Sequence, residues 1–187
     1  MSKSFGKDTG PGISLGHQAE AEWHRLRQQL DLAHGFWLGF LFSPSGAVTR
    51  AFRQRTETIL KSRALTLQAL QPETPEELEA LLPRLFEPHS NTGCVWLEAP
   101  RIDSPGTEPN ATGSWTRAWS QLLLRLNERR ERLRRTLDCG LLLAPHSRIK
   151  PHVRDAAPDL WSIRSIVLEP IAGRVNPPVA APGNRFE

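Results

Sequence analysis

Two short segments of this chain place polar side chains where chemistry could be done. The first is Ser43-Pro44-Ser45-Gly46, which follows the apolar run from Gly35 to Phe42 and precedes a helical pattern beginning near Ala47. A strand-to-helix junction offers the unpaired N–H groups of a helix start, and Ser43 or Ser45 can cap it. Ser43, Ser45 and Gly46 are therefore the candidate cofactor-binding residues. The second segment is Val95-Trp96-Leu97-Glu98, an apolar strand ending in a carboxylate. An acid in that position can hold Mg²⁺ or orient a water, which makes Glu98 the candidate catalytic residue. The two segments do not combine into phosphate chemistry. A phosphate-cradling loop needs G-x-x-x-x-G-K-[ST], so that backbone N–H groups surround the phosphates and a Lys neutralises them. Here the loop is too short and no Lys follows Gly46. The layout suggests a nucleotide-binding fold, the chemistry argues against nucleotide hydrolysis, and no cofactor is expected.

The densest charge cluster is Asn127-Glu128-Arg129-Arg130-Glu131-Arg132-Leu133-Arg134-Arg135. Glu128–Arg132 and Glu131–Arg135 have i,i+4 spacing, worth about 0.2–0.5 kcal/mol each on an exposed helix. Arg129, Arg130 and Arg134 are left less paired and are the candidate partner-binding residues. A basic stripe can grip phosphates through counterion release. Yet no aromatic residue interleaves with these arginines in the sequence, and no base-reading motif accompanies them. A solvated face weighs most, and an Arg-lined protein interface is the functional reading next to it. His146, Ser147 and Asp159 hold the residue types of a nucleophilic triad. No G-x-S-x-G elbow is present, however, and Ser147 is adjacent to His146. The remaining histidines are scattered, no Cys/His spacing suits zinc, and no metal site is expected.

Length and composition narrow the class. The chain has 187 residues, enough for one domain with a sizeable core. The longest apolar run, Gly35 to Phe42, is too short to cross a bilayer, and the N-terminus has no apolar signal region. A cytoplasmic protein without membrane insertion is expected. In a reducing compartment Cys94 and Cys139 read as small core residues rather than a disulfide. The net charge of +4 is basic without being extreme.

Periodicity assigns the elements. Trp23, Leu26, Leu30 and Ala33 lie on one face of a helix over 19–33. Strands are expected at 36–42, 64–70, 94–98, 140–144 and 165–169. Helices are expected from Ala47 to about Leu60, from Thr74 to about Phe86, from Trp115 to about Leu137 and over 147–157. Residues 99–113 are expected to form a long loop. In Ala157-Pro158-Asp159-Leu160-Trp161, Pro158 is expected to end a helix, Asp159 to make a turn and Trp161 to be largely buried. Strands alternating with helices, three of them continuous apolar runs, predict one three-layer α/β domain. Its sheet is mostly parallel and five-stranded, with helices on both faces and one extra N-terminal helix. The expected division is a disordered tail at 1–18, the domain at 19–170 and a Pro-rich tail at 171–187. In such sheets the functional crevice lies beyond the carboxyl ends of the strands, here Ser43–Gly46, Glu98–Asp103 and Pro145–Arg148.

The segments Leu126–Leu133, Gly140–Ala144 and Ala157–Ser165, with the strands ending at Phe42 and Glu98, resemble a bacterial family. They are similar to the degenerate AAA/STAND-type P-loop domains that stand ahead of TPR or other repeats in signalling and conflict proteins. The resemblance covers about Ala19 to Glu169. It implies a P-loop-like fold and a regulatory role, with defence against phage as one setting. It does not imply activity, since such domains often lack the phosphate loop. With no sensor repeats or effector domain expected after Glu169, the output is expected to pass through another protein. The leading expectation is a non-catalytic adaptor or regulatory subunit. The alternatives are an atypical NTPase using Ser43–Gly46 with Glu98, and nucleic-acid binding through Arg129, Arg130 and Arg134.

Overall fold

Alternation within the apolar runs decides the architecture. The computed structural model describes residues 15–87, 89–99 and 109–171, without the side chains of 109–112. The elements in chain order are α1 (His17–Leu32), β1 (Trp37–Leu41), α2 (Gly46–Ser62), β2 (Thr66–Leu70), α3 (Pro75–Ala80), β3 (Thr92–Glu98) and α4 (Pro109–Glu128). There follow α5 (Arg130–Thr136), β4 (Gly140–Ala144), α6 (Lys150–Ala156), α7 (Pro158–Ser162) and β5 (Ile166–Leu168). Short 3₁₀ turns occupy Pro83–Phe86 and Ser147–Ile149.

The five strands form one sheet in the order β2-β3-β4-β1-β5. Every pairing is parallel, with Trp37 opposite Gly140, Cys94 opposite Gly140 and Gly39 opposite Ile166. Successive side chains on a strand point to opposite faces. Leu38, Phe40, Val95, Leu97, Leu141 and Leu143 therefore pack on one side with Trp119, Leu122, Leu126 and Leu160 of α4 and α7. Trp37, Leu41, Cys94, Trp96 and Leu142 pack on the other with Trp23 and Leu26 of α1 and Phe52 of α2. The expected three-layer α/β domain is what the chain forms.

Local chemistry sets the element ends. Gly35 takes φ +68° between α1 and β1, a left-handed conformation that favours glycine. The Thr74 hydroxyl accepts the Glu77 N–H at 3.2 Å, Pro75 fills the first helical turn, and the Glu77 carboxylate accepts the Glu73 N–H at 2.7 Å. Thr74→Ala is expected to lower stability by about 1 kcal/mol. The check is a shifted urea midpoint at unchanged m-value. Between helices, Arg55 grips Glu20 with two hydrogen bonds of 2.7 and 2.8 Å, which holds that carboxyl below its usual range. The stabilisation is complete above the ordinary Glu pKa and is lost as pH falls through the lowered value. Cys94 and Cys139 are buried free thiols. Burial pushes Cys94 well up and Cys139 up to about 11.

Several expectations need correction. α1 begins at His17, and Leu15 is already buried, so the structured part starts earlier than Ala19. The helix expected over 74–86 is α3 followed by a 3₁₀ turn starting at Pro83, which cannot donate an intrahelical hydrogen bond. Residues 109–113 belong to α4 rather than to a loop, with Pro109 at the helix start where proline is tolerated. The helix expected over 115–137 is broken. Arg129 leaves helical geometry at φ −112° and ψ 19°, and α5 restarts beyond it. No Pro or Gly causes the break. At that point the Asn127 carboxamide accepts the Leu160 N–H at 2.8 Å, tying the end of α4 to α7. Pro158 starts α7 instead of only ending a helix, and Asp159 lies within it. Trp161 packs against the core with part of its surface left accessible. Residues 1–14 of the tail expected at 1–18, residues 172–187 of the tail expected at 171–187, and residues 100–108 including Asp103 lie outside the described residues.

Candidate functional site

The parallel sheet sends the ends of β1, β3 and β4 to the same edge, and a cleft of about 710 Å³ opens there. Its walls are the turn Ser43–Gly46, Thr49, Arg50 and Arg53 of α2, Gln71–Glu73 after β2, Glu98 and Ala99, and Ala144–His146 after β4. Ser43, Ser45, Gly46 and Glu98, the candidates from the sequence, thus line one cavity. Backbone pairing of Ser43 with His146 extends the β1–β4 ladder into the cleft floor.

The turn spends its own donors. The Ser45 N–H donates to the Ser43 hydroxyl at 3.1 Å, and that hydroxyl donates to the Ser45 carbonyl at 3.2 Å. The Ser45 side chain caps α2 by accepting the Val48 N–H at 3.4 Å. A phosphate-binding nest requires successive N–H groups aimed outward at the anion. Here two of them are turned onto serine hydroxyls of the same turn.

Glu98 is equally committed. Its Oε2 accepts the Trp96 indole N–H at 2.8 Å. Its Oε1 accepts from the Gln71 carboxamide and lies 3.2 Å from Arg53 Nε. The Arg53 N–H is not aimed at that oxygen, so the contact is an ion pair of charges rather than a hydrogen bond. Both side chains are largely buried, Arg53 at 19% and Glu98 at 11% exposure. The indole and the amide occupy one lone pair on each carboxylate oxygen, and the Arg53 charge beside Oε1 opposes a cation there. The residues present therefore do not fit a Mg²⁺-nucleotide. No cluster of three or more His, Cys, Asp or Glu that could hold a metal ion occurs among the described residues.

Arg53 and Gln71, the partners of Glu98, carried no signal in the sequence reading. The available hint was Arg50 and Arg53 at i,i+3 spacing behind the Ser45 cap, which puts two cations on one face of α2.

The other candidates lie elsewhere. Arg130 is not left unpaired: its Nη1 sits 3.1 Å from the Asp159 carboxylate and its Nε 4.0 Å from Glu131. Arg134 also reaches Glu131, at 3.9 Å. The break at Arg129 separates Glu128 from α5, and Arg132 lies over the Phe86 ring, 4.8 Å from its centroid, in place of the expected pair with Glu128. Glu131, expected to serve Arg135, serves Arg130 and Arg134. Asp159 is spent on Arg130, while the His146 ring nitrogen Nδ1 accepts the Arg148 N–H at 3.2 Å, so no triad forms with Ser147. Aromatic rings do interleave with the arginines in space. Besides Phe86, Trp161 carries Arg154 and Arg164 over its ring.

No helix among the described residues is long and apolar enough to cross a membrane. Neither a protein-family model nor a curated protein matches the chain. Solved structures do. The ORC2 protein of Aeropyrum pernix in its ADP form is 14% identical with a TM-score of 0.50, over 87% of this chain and 50% of that one. The same protein with ADPNP and ADP gives 14% and 0.52, over 87% and 49%. The Aeropyrum pernix ORC1 protein in complex with DNA gives 18% and 0.46, over 86% and 46%. The chain spans about half the length of these proteins. The likeness to ORC2 is one of fold, consistent with a single P-loop-like α/β domain.

Proposed function

We propose that this chain is a P-loop-like regulatory domain that does not hydrolyse nucleotides and acts by docking to another protein. The observation that carries the reading is the capture of both Glu98 oxygens by Arg53, Gln71 and Trp96. It is supported by the Ser45 and Val48 N–H groups, which donate to the Ser43 and Ser45 hydroxyls rather than outward. The atypical NTPase reading requires Glu98 to be available, and the network opposes it. The setting suggested by the sequence resemblance, a bacterial signalling or anti-phage assembly, belongs to this proposal. So do a cytoplasmic location, a division into one domain between two tails, with the domain beginning by Leu15 rather than at Ala19, and a docking role for Arg129, Arg130 and Arg134.

A nucleic-acid role is the second reading. It draws on the rings of Phe86 and Trp161 lying among the arginines, since aromatic stacking beside cations is how single strands are held. Calorimetric titration with Mg²⁺-ATP tests the first reading. No saturable heat is expected from the whole chain, and Mg²⁺-dependent binding at micromolar concentration would overturn it.

A further inference from the structure

The break between α4 and α5 creates a composite surface. Two tethers fix α7 against it: the Leu160 N–H on Asn127 at 2.8 Å and the Arg130–Asp159 ion pair at 3.1 Å. Trp161 of α7 rests on the sheet, with ring centroids 5.4 Å from Phe40 and 6.4 Å from Phe42. Its outer part carries two guanidiniums. Arg164 lies 4.1 Å and Arg154 5.2 Å from the ring centroid, and Arg164 also donates to the Trp161 carbonyl. Arg154 is exposed and has no ion-pair partner among the described residues.

Stacking on a ring holds a guanidinium plane in place while leaving N–H edges available for a carboxylate fork. The rotamer entropy of these long side chains is thus already partly spent before any partner arrives. A half-buried Trp flanked by arginines is the composition in which interface energy concentrates.

The neighbouring charges select the partner. Asp155 follows Arg154 on α6, and Asp159 stands two residues before Trp161 on α7, where it pairs with Arg130 of α5. A nucleic-acid backbone presents a continuous row of negative charge and would meet these acids. A protein segment can place carboxylates at Arg154 and Arg164 and an apolar side chain on Trp161, avoiding Asp155.

We infer that the Arg154–Trp161–Arg164 face is a docking site for a short acidic segment of a partner protein, carboxylates on the guanidiniums and an apolar residue on the ring. This names the occupant and the site for the docking reading above, on which it rests.

The test titrates the full chain with an array of labelled synthetic peptides, each carrying Glu or Asp residues around one Phe or Leu, read by fluorescence anisotropy. A random-sequence DNA duplex is titrated in parallel. Acidic peptides of this design are expected to bind, and Arg154→Gln to weaken them about tenfold, the scale of one charge-assisted fork. Arg164→Gln should do the same. Since Arg164 also bonds backbone, the exposed Arg154 substitution decides the matter if Arg164→Gln disturbs folding. Arg154→Lys should recover only part of the affinity, because charge returns without the fork.

The inference is overturned if no acidic peptide binds, if Arg154→Gln binds as tightly as the parent, or if only DNA binding responds. A further arm keeps this failure distinct from failure of the wider docking reading. If peptide binding is lost in Arg129→Gln with Arg134→Gln yet survives Arg154→Gln, the α5 stripe is the docking surface and the Trp161 face is not.

Discussion

Arg53→Met is expected to cost about 3 kcal/mol, because it leaves the buried Glu98 carboxylate without its counter-charge. The loss should sit at the low end for a broken buried pair, since Gln71 and Trp96 still donate to that carboxylate. Against a total of about 5–15 kcal/mol this is a large fraction. Glu98→Gln should also destabilise, by stranding the Arg53 guanidinium. The double substitution should be less damaging than the sum of the two, because the uncompensated charge is then gone from both sides. Urea midpoints of the parent, both single variants and the double variant close the cycle. If Arg53→Met unfolds at the parent's midpoint, Glu98 is not committed to structure and the catalytic reading regains its ground.

Gly140→Ala is expected to be nearly as severe for a different reason. A Cβ at Gly140 would lie 2.2 Å from Cε2 and 2.3 Å from Cζ2 of Trp37, its partner across the β1–β4 ladder. The indole is buried among α1, α2 and the sheet, so it cannot swing into solvent. Overpacking of this kind costs about 1–3 kcal/mol. Trp37→Leu in the Gly140→Ala background should recover part of the lost thermal stability by removing the ring. A Gly140→Ala variant with an unchanged melting temperature would mean that the β1–β4 ladder is looser than its register implies.

How much of this could be read from the chain depended on the range of the interaction. The runs ending at Phe42, Glu98 and Ala144 are strands because uninterrupted apolar residues of strand length need cover on both faces, a local property. The same reasoning places Ser43–Gly46, Glu98 and His146 at one edge, since parallel strands end together. What escaped was decided by side chains from distant elements. The break at Arg129 has no local breaker and coincides with the Asn127–Leu160 bond. The partners of Glu98 come from α2 and from the segment after β2. Trp161 packs on the sheet, as its place before the last strand suggests, but the arginines over its ring come from α6 and from just beyond α7.

The strand order has a consequence for synthesis. β1 leaves the ribosome well before both of its neighbours, β4 and β5, which come from the last part of the described chain. Until β4 emerges, the Trp37–Leu41 backbone has two open edges and an apolar surface on each side, while β2 and β3 can already pair with each other. Such a segment is a template for association with other nascent chains. β1 is thus the strand that waits longest for its neighbours, and a pause in translation ahead of Gly140 would leave it exposed for longest of all.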